Sequence, residues 1–344
     1  MLTYIIRRFL LMIPTLLGIT IVVFAIINLA PGSPVEQRLQ QLRFGGAGSS
    51  GGGGGDGGGR DSVVSDAVIE ALNKQYGFDK PVHTRYFIWL KNLTTLDFGD
   101  SFTYEEPVKD IVMSKFPVSL QFGIVSLFLS YLICIPLGVI KAIKHGSKFD
   151  LLSSFILFAM YSIPGFMLAI LLIVYFAGGS FFEWFPIGEL HSDWYYEKDF
   201  WGKLVERIHH FILPLICYMI GSFTILTMLM KNSLLEEIKK DYIRTARAKG
   251  LAEKTVYLKH ALRNALIPIV TGLGSFLTIF FAGSILLETI FSLDGIGLLS
   301  YRAILERDYN VIMGLIFIQS FLMLLGNLIS DIAYVIVDPR IDFS

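Results

Sequence analysis

The side chains that could do chemistry in this sequence are few, and most are badly spaced for it. His209 and His210 are its only adjacent histidines. Neighbours on a helix point about 100° apart, so the two make a poor chelate and fit an interfacial role better than a metal site. Cys134 and Cys217 both lie in apolar runs and form no C-x-x-C, which reads as two small buried residues. The phosphate-cradling pattern G-x-x-x-x-G-K-[ST] is absent, so ATP is not expected to be bound or hydrolysed here, and H-E-x-x-H is absent too. No nucleophile–base constellation is visible. The chain is therefore expected to be no enzyme and to hold no cofactor or metal. The formal net charge is zero, so the total says nothing about partners, and no nucleic-acid partner is expected.

The most distinctive segment is "ARAKGLAEKTVYLKHALRN", residues 246–264, with five Lys or Arg and one acid, Glu253. Leu235, Ile238, Tyr242 and Ala246 recur before it at helical spacing, and Leu251, Leu258, Leu262 and Leu266 recur after Gly250 on another face. Gly250 stands where a helix C-cap or sharp turn wants positive φ. The spacing thus predicts a helix, a turn and a second helix projecting a basic knuckle. Two partners fit it: anionic lipid beneath an amphipathic helix, or a groove on another protein that accepts a docking helix. The residues alone leave both open.

The elements that must hold this knuckle are membrane spans. A hydrophobic fraction of 53% and a mean hydropathy of +0.60 argue against a soluble protein. Residues 9–27, 116–140, 151–182, 211–230, 264–287 and 311–330 carry no charge. A crossing needs roughly 20 apolar residues, so these runs predict six transmembrane helices, with 151–182 long enough to include an interfacial end. Arg7 and Arg8 before the first run resemble the start of a signal peptide. That run is too long for one, and "NLAPGSP" offers no cleavage site, so a retained span is expected. A charge at a span's centre costs about 3 kcal/mol on insertion scales. All six centres lack one, and Glu288 and Asp331 fall near span ends, where hydration is easy. An ion-coupled carrier would lack its coupling site, so the driving energy must come from elsewhere. Pro14, Pro136, Pro164, Pro214 and Pro268 lie in or beside spans, where freed carbonyls suit a watery path.

Lys and Arg in the short loops set the orientation. With the N-terminus inside, the cytoplasmic segments hold fifteen and the short outer loops five. The long segment 31–115 is exempt from this rule. Both termini and the basic knuckle are then cytoplasmic. Within 31–115, residues 45–59 contain eleven glycines and read as a flexible linker. Helical spacing follows over 65–90. The outer loop 183–210 carries Trp184, Trp194, Tyr195, Tyr196 and Trp201, which suit the membrane interface. Three regions follow: 1–30 with the first span, 31–115 as an extracytoplasmic domain, and 116–344 as a five-helix core carrying the loop 231–264.

"DYIRTARAKGL" and "HALRNALIP" resemble the cytoplasmic "EAA" loop of ATP-binding-cassette importer permeases, in the form of the dipeptide and oligopeptide branch. "APGSPV", "YGFDKPVHTRYFIWL", "LDFGDSF", "ETIFSLDGIGLL" and "DPRID" extend the resemblance over nearly the whole chain. The Gly-rich insertion, "FAGGSFF" and "VDPRIDF" are most similar to Yej-type peptide importers. The general EAA pattern opens on Glu, whereas Arg244 stands at that position here, followed by Thr245 and Ala246. Its glycine matches Gly250, and its proline matches Pro268 at a longer spacing. The resemblance implies an all-α, six-span permease of the bacterial inner membrane with a small extracytoplasmic domain between helices 1 and 2. It implies a second homologous permease, ATPase subunits that carry the ATP, a peptide-binding protein outside, and lipid around the spans. Peptides, including peptide-like antibiotics, are the implied substrates. It assigns ATPase coupling to Arg244, Ala246, Arg247, Lys249, Gly250, Leu251, Leu258, His260, Leu262 and Arg263. Pro164, Glu288 and Asp294 become candidates for the translocation path or gate. A secondary carrier and a non-transporting scaffold are the competing classes.

Overall fold

The computed structural model describes residues 2–32, 34–36, 70, 73–74, 77–179, 181–271 and 284–337. The glycine tract 45–59, the end "DPRID" and twelve residues of the run 264–287 lie outside them. The described elements include α1 (Leu2–Leu29), α2 (Val82–Leu93), α3 (Val108–Ile143), α4 (Lys148–Ser162), α5 (Gly165–Phe176) and α6 (Phe200–Ile238). α7 (Asp241–Ala248), α8 (Ile285–Ile290), α9 (Ile296–Leu305) and α10 (Tyr309–Val337) follow. Among the described residues the β-structure is one isolated bridge, Asp100 to Pro107.

Four of these helices, α1, α3, α6 and α10, are long and apolar enough to cross a membrane, and α4 with α5 makes a fifth if the bent pair counts as one span. At 1.5 Å per residue, the 39 residues of α6 reach about 58 Å. That is nearly twice the roughly 30 Å of hydrocarbon. The helix therefore runs on past the charge-free run 211–230 and carries Lys231–Ile238 without a break into the basic segment. Only 11% of the apolar window of α1 is buried, leaving Phe9, Leu10, Leu11 and Ile26 exposed. Lipid covers an apolar surface of this kind in a membrane protein.

The run 151–182 is not a straight span with an interfacial end. Its two helices are bent by 95°. Pro164 is the cause: it sets its own φ at −57° and forces Ile163 into extended geometry, at φ −91° and ψ 119°. No charge lies between Leu151 and Phe176, so hydropathy alone reads straight through the break.

Contacts divide the chain into two compact units. One comprises Met1–Arg8, Lys115–Leu298 and Leu322–Ser344, the other Phe9–Ser114 and Leu299–Phe321. The first has two apolar clusters. In one, Cys134, Val139, Leu226, Met230 and Leu234 meet Ile243, Ala246, Val256 and Ala265, so the basic segment is bedded on the ends of α3 and α6. In the other, Phe122, Leu213 and Cys217 meet Ala169, Leu287, Phe291 and Leu293. Phe122 stacks on Phe211 with ring centroids 3.9 Å apart. The second unit packs aromatic rings, among them Trp89 against Phe317 and Phe24 against Tyr86.

Candidate coupling and gating sites

The basic segment begins where α6 stops. α7 then resets the helical phase. Across the break at Lys239 and Lys240, Ile243 and Ala246 point inward, while Tyr242 is 37% exposed. The stripe expected from Leu235 through Tyr242 to Ala246 is therefore corrected at Tyr242, because it assumed one continuous helix. Tyr242 OH instead donates to Glu237 and accepts from Asn264 Nδ2 at 3.1 Å. Burial, and then Glu237, pushes its pKa up to about 12, so it remains a donor at any physiological pH.

α7 ends in a Schellman turn. Leu251 N–H donates to Ala246 O and Gly250 N–H to Arg247 O, with Gly250 at φ +77°. Nothing lies within 4 Å of where a Gly250 Cβ would stand. The requirement for glycine is conformational and not one of space. The chain returns through a helical turn at Glu253–Thr255, a π-helical turn at Val256–Ala261 and another helical turn at Leu262–Ala265. Arg247 braces the two limbs. Its Nε donates to Glu253 Oε1 at 2.8 Å, and its guanidinium lies 5.7 Å from the Tyr257 ring centroid. The Arg247 guanidinium in turn holds the Glu253 carboxyl below the usual carboxylate range.

Other residues of the segment divide by face. Ala246 is buried, and Leu262 packs on the core. His260 is half-buried. Leu251 and Leu258 are 40% and 44% exposed, and Lys249 and Arg263 are exposed. Arg244 is exposed beside Asp241, 3.3 Å away. The knuckle thus presents two leucines and several cations around a bare glycine. Glu253 and Tyr257, which stabilise the turn, carry no local sequence signal, since their partner Arg247 lies six and ten residues back.

Pro164 lines one cavity, and Glu288 lies behind the cavity's Tyr218. A cavity of about 540 Å³ beside the α4–α5 bend is lined by Met160, Pro164, Gly165, Cys217, Tyr218 and Leu287. Tyr218 OH donates to Glu288 Oε1 at 3.3 Å, Ser119 Oγ donates to the same oxygen at 2.9 Å, and Leu298 N–H donates to Oε2 at 2.8 Å. Glu288 is fully buried, which corrects the expectation of an easily hydrated group. It is satisfied because the turn "SLDGIG" folds round it. A Cβ on Gly295 would lie 2.5 Å from Ser119 Oγ and 2.6 Å from Glu288 Oε2. Asp294 lies apart, 55% exposed and paired with Lys115. Asp331 pairs with Arg8 at 3.0 Å and accepts from Tyr4 OH at 2.9 Å.

A third cluster escaped sequence reading. Lys231 Nζ donates to both oxygens of Asp150, at 2.7 and 2.8 Å. The fully buried Lys141 lies 3.2 Å from Asp150 Oδ1 and donates to Ser153 and Ser154. The cluster joins the ends of α3, α4 and α6. The histidine pair, for its part, anchors the loop before α6: His210 Nδ1 donates to Gly188 O at 2.9 Å, and His209 Nε2 meets Trp184 O.

Long apolar helices, a surface apolar enough for lipid and a compact basic knuckle define a multi-pass membrane component. Residues 134–343 match the family described as "Binding-protein-dependent transport system inner membrane component", and the chain belongs to that family. It is 45% identical to the "Peptidoglycan transport system permease protein YejB" of Agrobacterium fabrum (strain C58 / ATCC 33970), over 99% of this chain and 98% of that one. It is 43% identical to the "Inner membrane ABC transporter permease protein YejB" of Escherichia coli O157:H7, over 99% and 98%. It is 37% identical to the "Oligopeptide transport system permease protein AppB" of Bacillus subtilis (strain 168), over the full length of both. The chain is accordingly a permease subunit of an ATP-binding-cassette importer in the bacterial inner membrane and not an enzyme.

Proposed function

We propose that the chain forms half of a peptide-importing pore. The observation that carries this reading is likeness over the full length of both chains to a permease named for oligopeptide transport. In this reading six helices span the membrane, the run 264–287 supplying the sixth, and both termini lie inside. A second homologous permease completes the pore, and a peptide-binding protein delivers substrate to the outer domain within 31–115. ATPase subunits dock on the knuckle. Its exposed Leu251 and Leu258 sit at the tip of two braced limbs, a shape that fits a groove better than a flat lipid surface. ATP-driven closure of the ATPases would move the knuckle, and the limbs bedded on α3 and α6 would pass that motion to the spans. The cavity at the Pro164 bend, next to buried Glu288, is the proposed stretch of the path. Deleting the gene should abolish growth on defined oligopeptides as sole amino-acid source, and the tagged chain should co-purify an ATPase. Growth unchanged by the deletion, or purification without an ATPase, would refute the reading.

A second substrate reading rests on the relative named for peptidoglycan transport. Uptake of labelled muropeptides and of labelled oligopeptides, measured side by side in the deletion strain and its complement, separates the two.

A further inference from the structure

The second unit carries a half-open cavity that none of these readings uses. Its volume is about 210 Å³, and its wall includes Phe78, Arg85, Trp89, Phe98, Phe102 and Tyr309. A single water needs only roughly 10–15 Å³, so the space is ligand-sized. Phe78, Phe102 and Tyr309 pack on one another, with centroid separations of 6.2, 6.0 and 6.5 Å. The Arg85 guanidinium lies 4.6 Å from the Phe78 centroid.

The polar atoms of this wall are incomplete. Trp89 is only 8% exposed, yet among the described residues its Nε1–H has no hydrogen-bond partner, and the Arg85 Nε–H is likewise buried and unpaired. Among the described residues the Arg85 side chain makes one hydrogen bond, from Nη2 to the neutral Asn28 Oδ1 at 2.6 Å, and no carboxylate pairs with it. Burial pushes its pKa below the usual arginine value. Buried donors nearly always find an acceptor, and a partly desolvated cation gains from an anion. A carboxylate meets both needs. It offers several lone-pair positions and a negative charge that suits the guanidinium fork, while the rings would receive an apolar body.

We propose that this cavity binds a small carboxylate with an apolar body, its oxygens taking the N–H groups of Arg85 and Trp89 and its body lying against Phe78, Phe102 and Tyr309. Two sources present this chemistry: a free single-residue carboxylate, and the C-terminal residue of a short peptide. The site rests on its own geometry and not on the identity of the transported substrate.

The test is calorimetric titration of the full-length chain in lipid nanodiscs. The ligands are N-acetyl-leucine, N-acetyl-leucinamide, and trileucine with a free or an amidated C-terminus. N-acetyl-leucine should bind at least tenfold more tightly than its amide. Trp89→Phe keeps an aromatic ring and removes the N–H, and should weaken the carboxylate by roughly tenfold. Arg85→Met should weaken it further. If free-acid trileucine matches N-acetyl-leucine and amidated trileucine does not, the proposal stands and the source is a peptide C-terminus. If only N-acetyl-leucine binds, it stands with a single-residue source. Equal affinity for acid and amide, no detectable binding of either, or an unaltered Trp89→Phe would overturn it. Because the readout is binding to this chain alone, its failure leaves the import reading intact, and failed import leaves the site intact.

Discussion

At Gly250 the backbone alone decides what a substitution does. With φ at +77° and open space around the missing Cβ, a side chain meets strain but no clash. Left-handed geometry costs a β-branched residue about 1–2 kcal/mol, whereas Asn tolerates it. In the reconstituted complex, Gly250→Val should insert normally yet lose substrate-stimulated ATP hydrolysis, and Gly250→Asn should keep most of it. If the two variants behave alike, the turn is not the coupling element. The double variant Arg247→Gln, Lys249→Gln asks the complementary question, since a segment held by lipid would answer to charge before shape. Glu288 follows a different rule. It satisfies three donors at a buried point, so Glu288→Ala leaves Leu298 N–H without an acceptor. Each stranded donor costs about 1–3 kcal/mol. Glu288→Ala should therefore lower the thermal midpoint in detergent clearly more than Glu288→Gln, which keeps an oxygen. A midpoint equal to that of the parent protein would mean the carboxylate is not a structural tie.

The elements show which parts of this arrangement could be read from sequence. Long helices were legible because bilayer thickness imposes long charge-free runs, and the Gly250 turn because a left-handed residue selects glycine. The 95° bend was not, because Pro164 interrupts an apolar run without changing its hydropathy. The phase of α7 was misread for a similar reason: Lys239 and Lys240 look like a surface patch, and nothing local marks a helix break there. Lys141 was counted as a loop charge, yet it is buried with Asp150 and Lys231. Residues 81 positions apart make that last pair, and 169 positions separate Ser119 from Glu288. Pairings at such range leave no trace in local spacing. The Lys–Asp–Lys cluster makes its own forecast. Asp150→Asn would strand two buried cations, and breaking a buried ion pair costs about 3–5 kcal/mol. Thermal unfolding should therefore show a large loss for Asp150→Asn, partly recovered by adding Lys231→Met. No recovery in the double variant would mean that the Asp150 carboxylate acts through the bond it accepts from Gly146 N–H instead.

For the whole molecule the decisive question is which side of the membrane each loop faces. Moving Lys141 and Lys231 from the loop count to the interior leaves the Lys and Arg bias towards the same side. The proposed arrangement therefore puts the segment before α3 outside and the knuckle inside. The chain offers a direct test, because its two thiols, Cys134 and Cys217, are both buried and can be replaced by alanine to give a silent background. Asp97 is exposed in the turn after α2, at a site where a new side chain meets solvent. A cysteine introduced there by Asp97→Cys should react with a membrane-impermeant maleimide in intact cells. Lys249→Cys, exposed beside Gly250, should react only after the membrane is opened. The two positions control for each other. If both label in intact cells the membrane is leaky, and if Lys249→Cys alone does so the orientation is reversed. Were the labelling reversed, the knuckle would face away from any cytoplasmic ATPase, and the coupling role proposed for Arg247, Gly250 and Leu258 would fall with it.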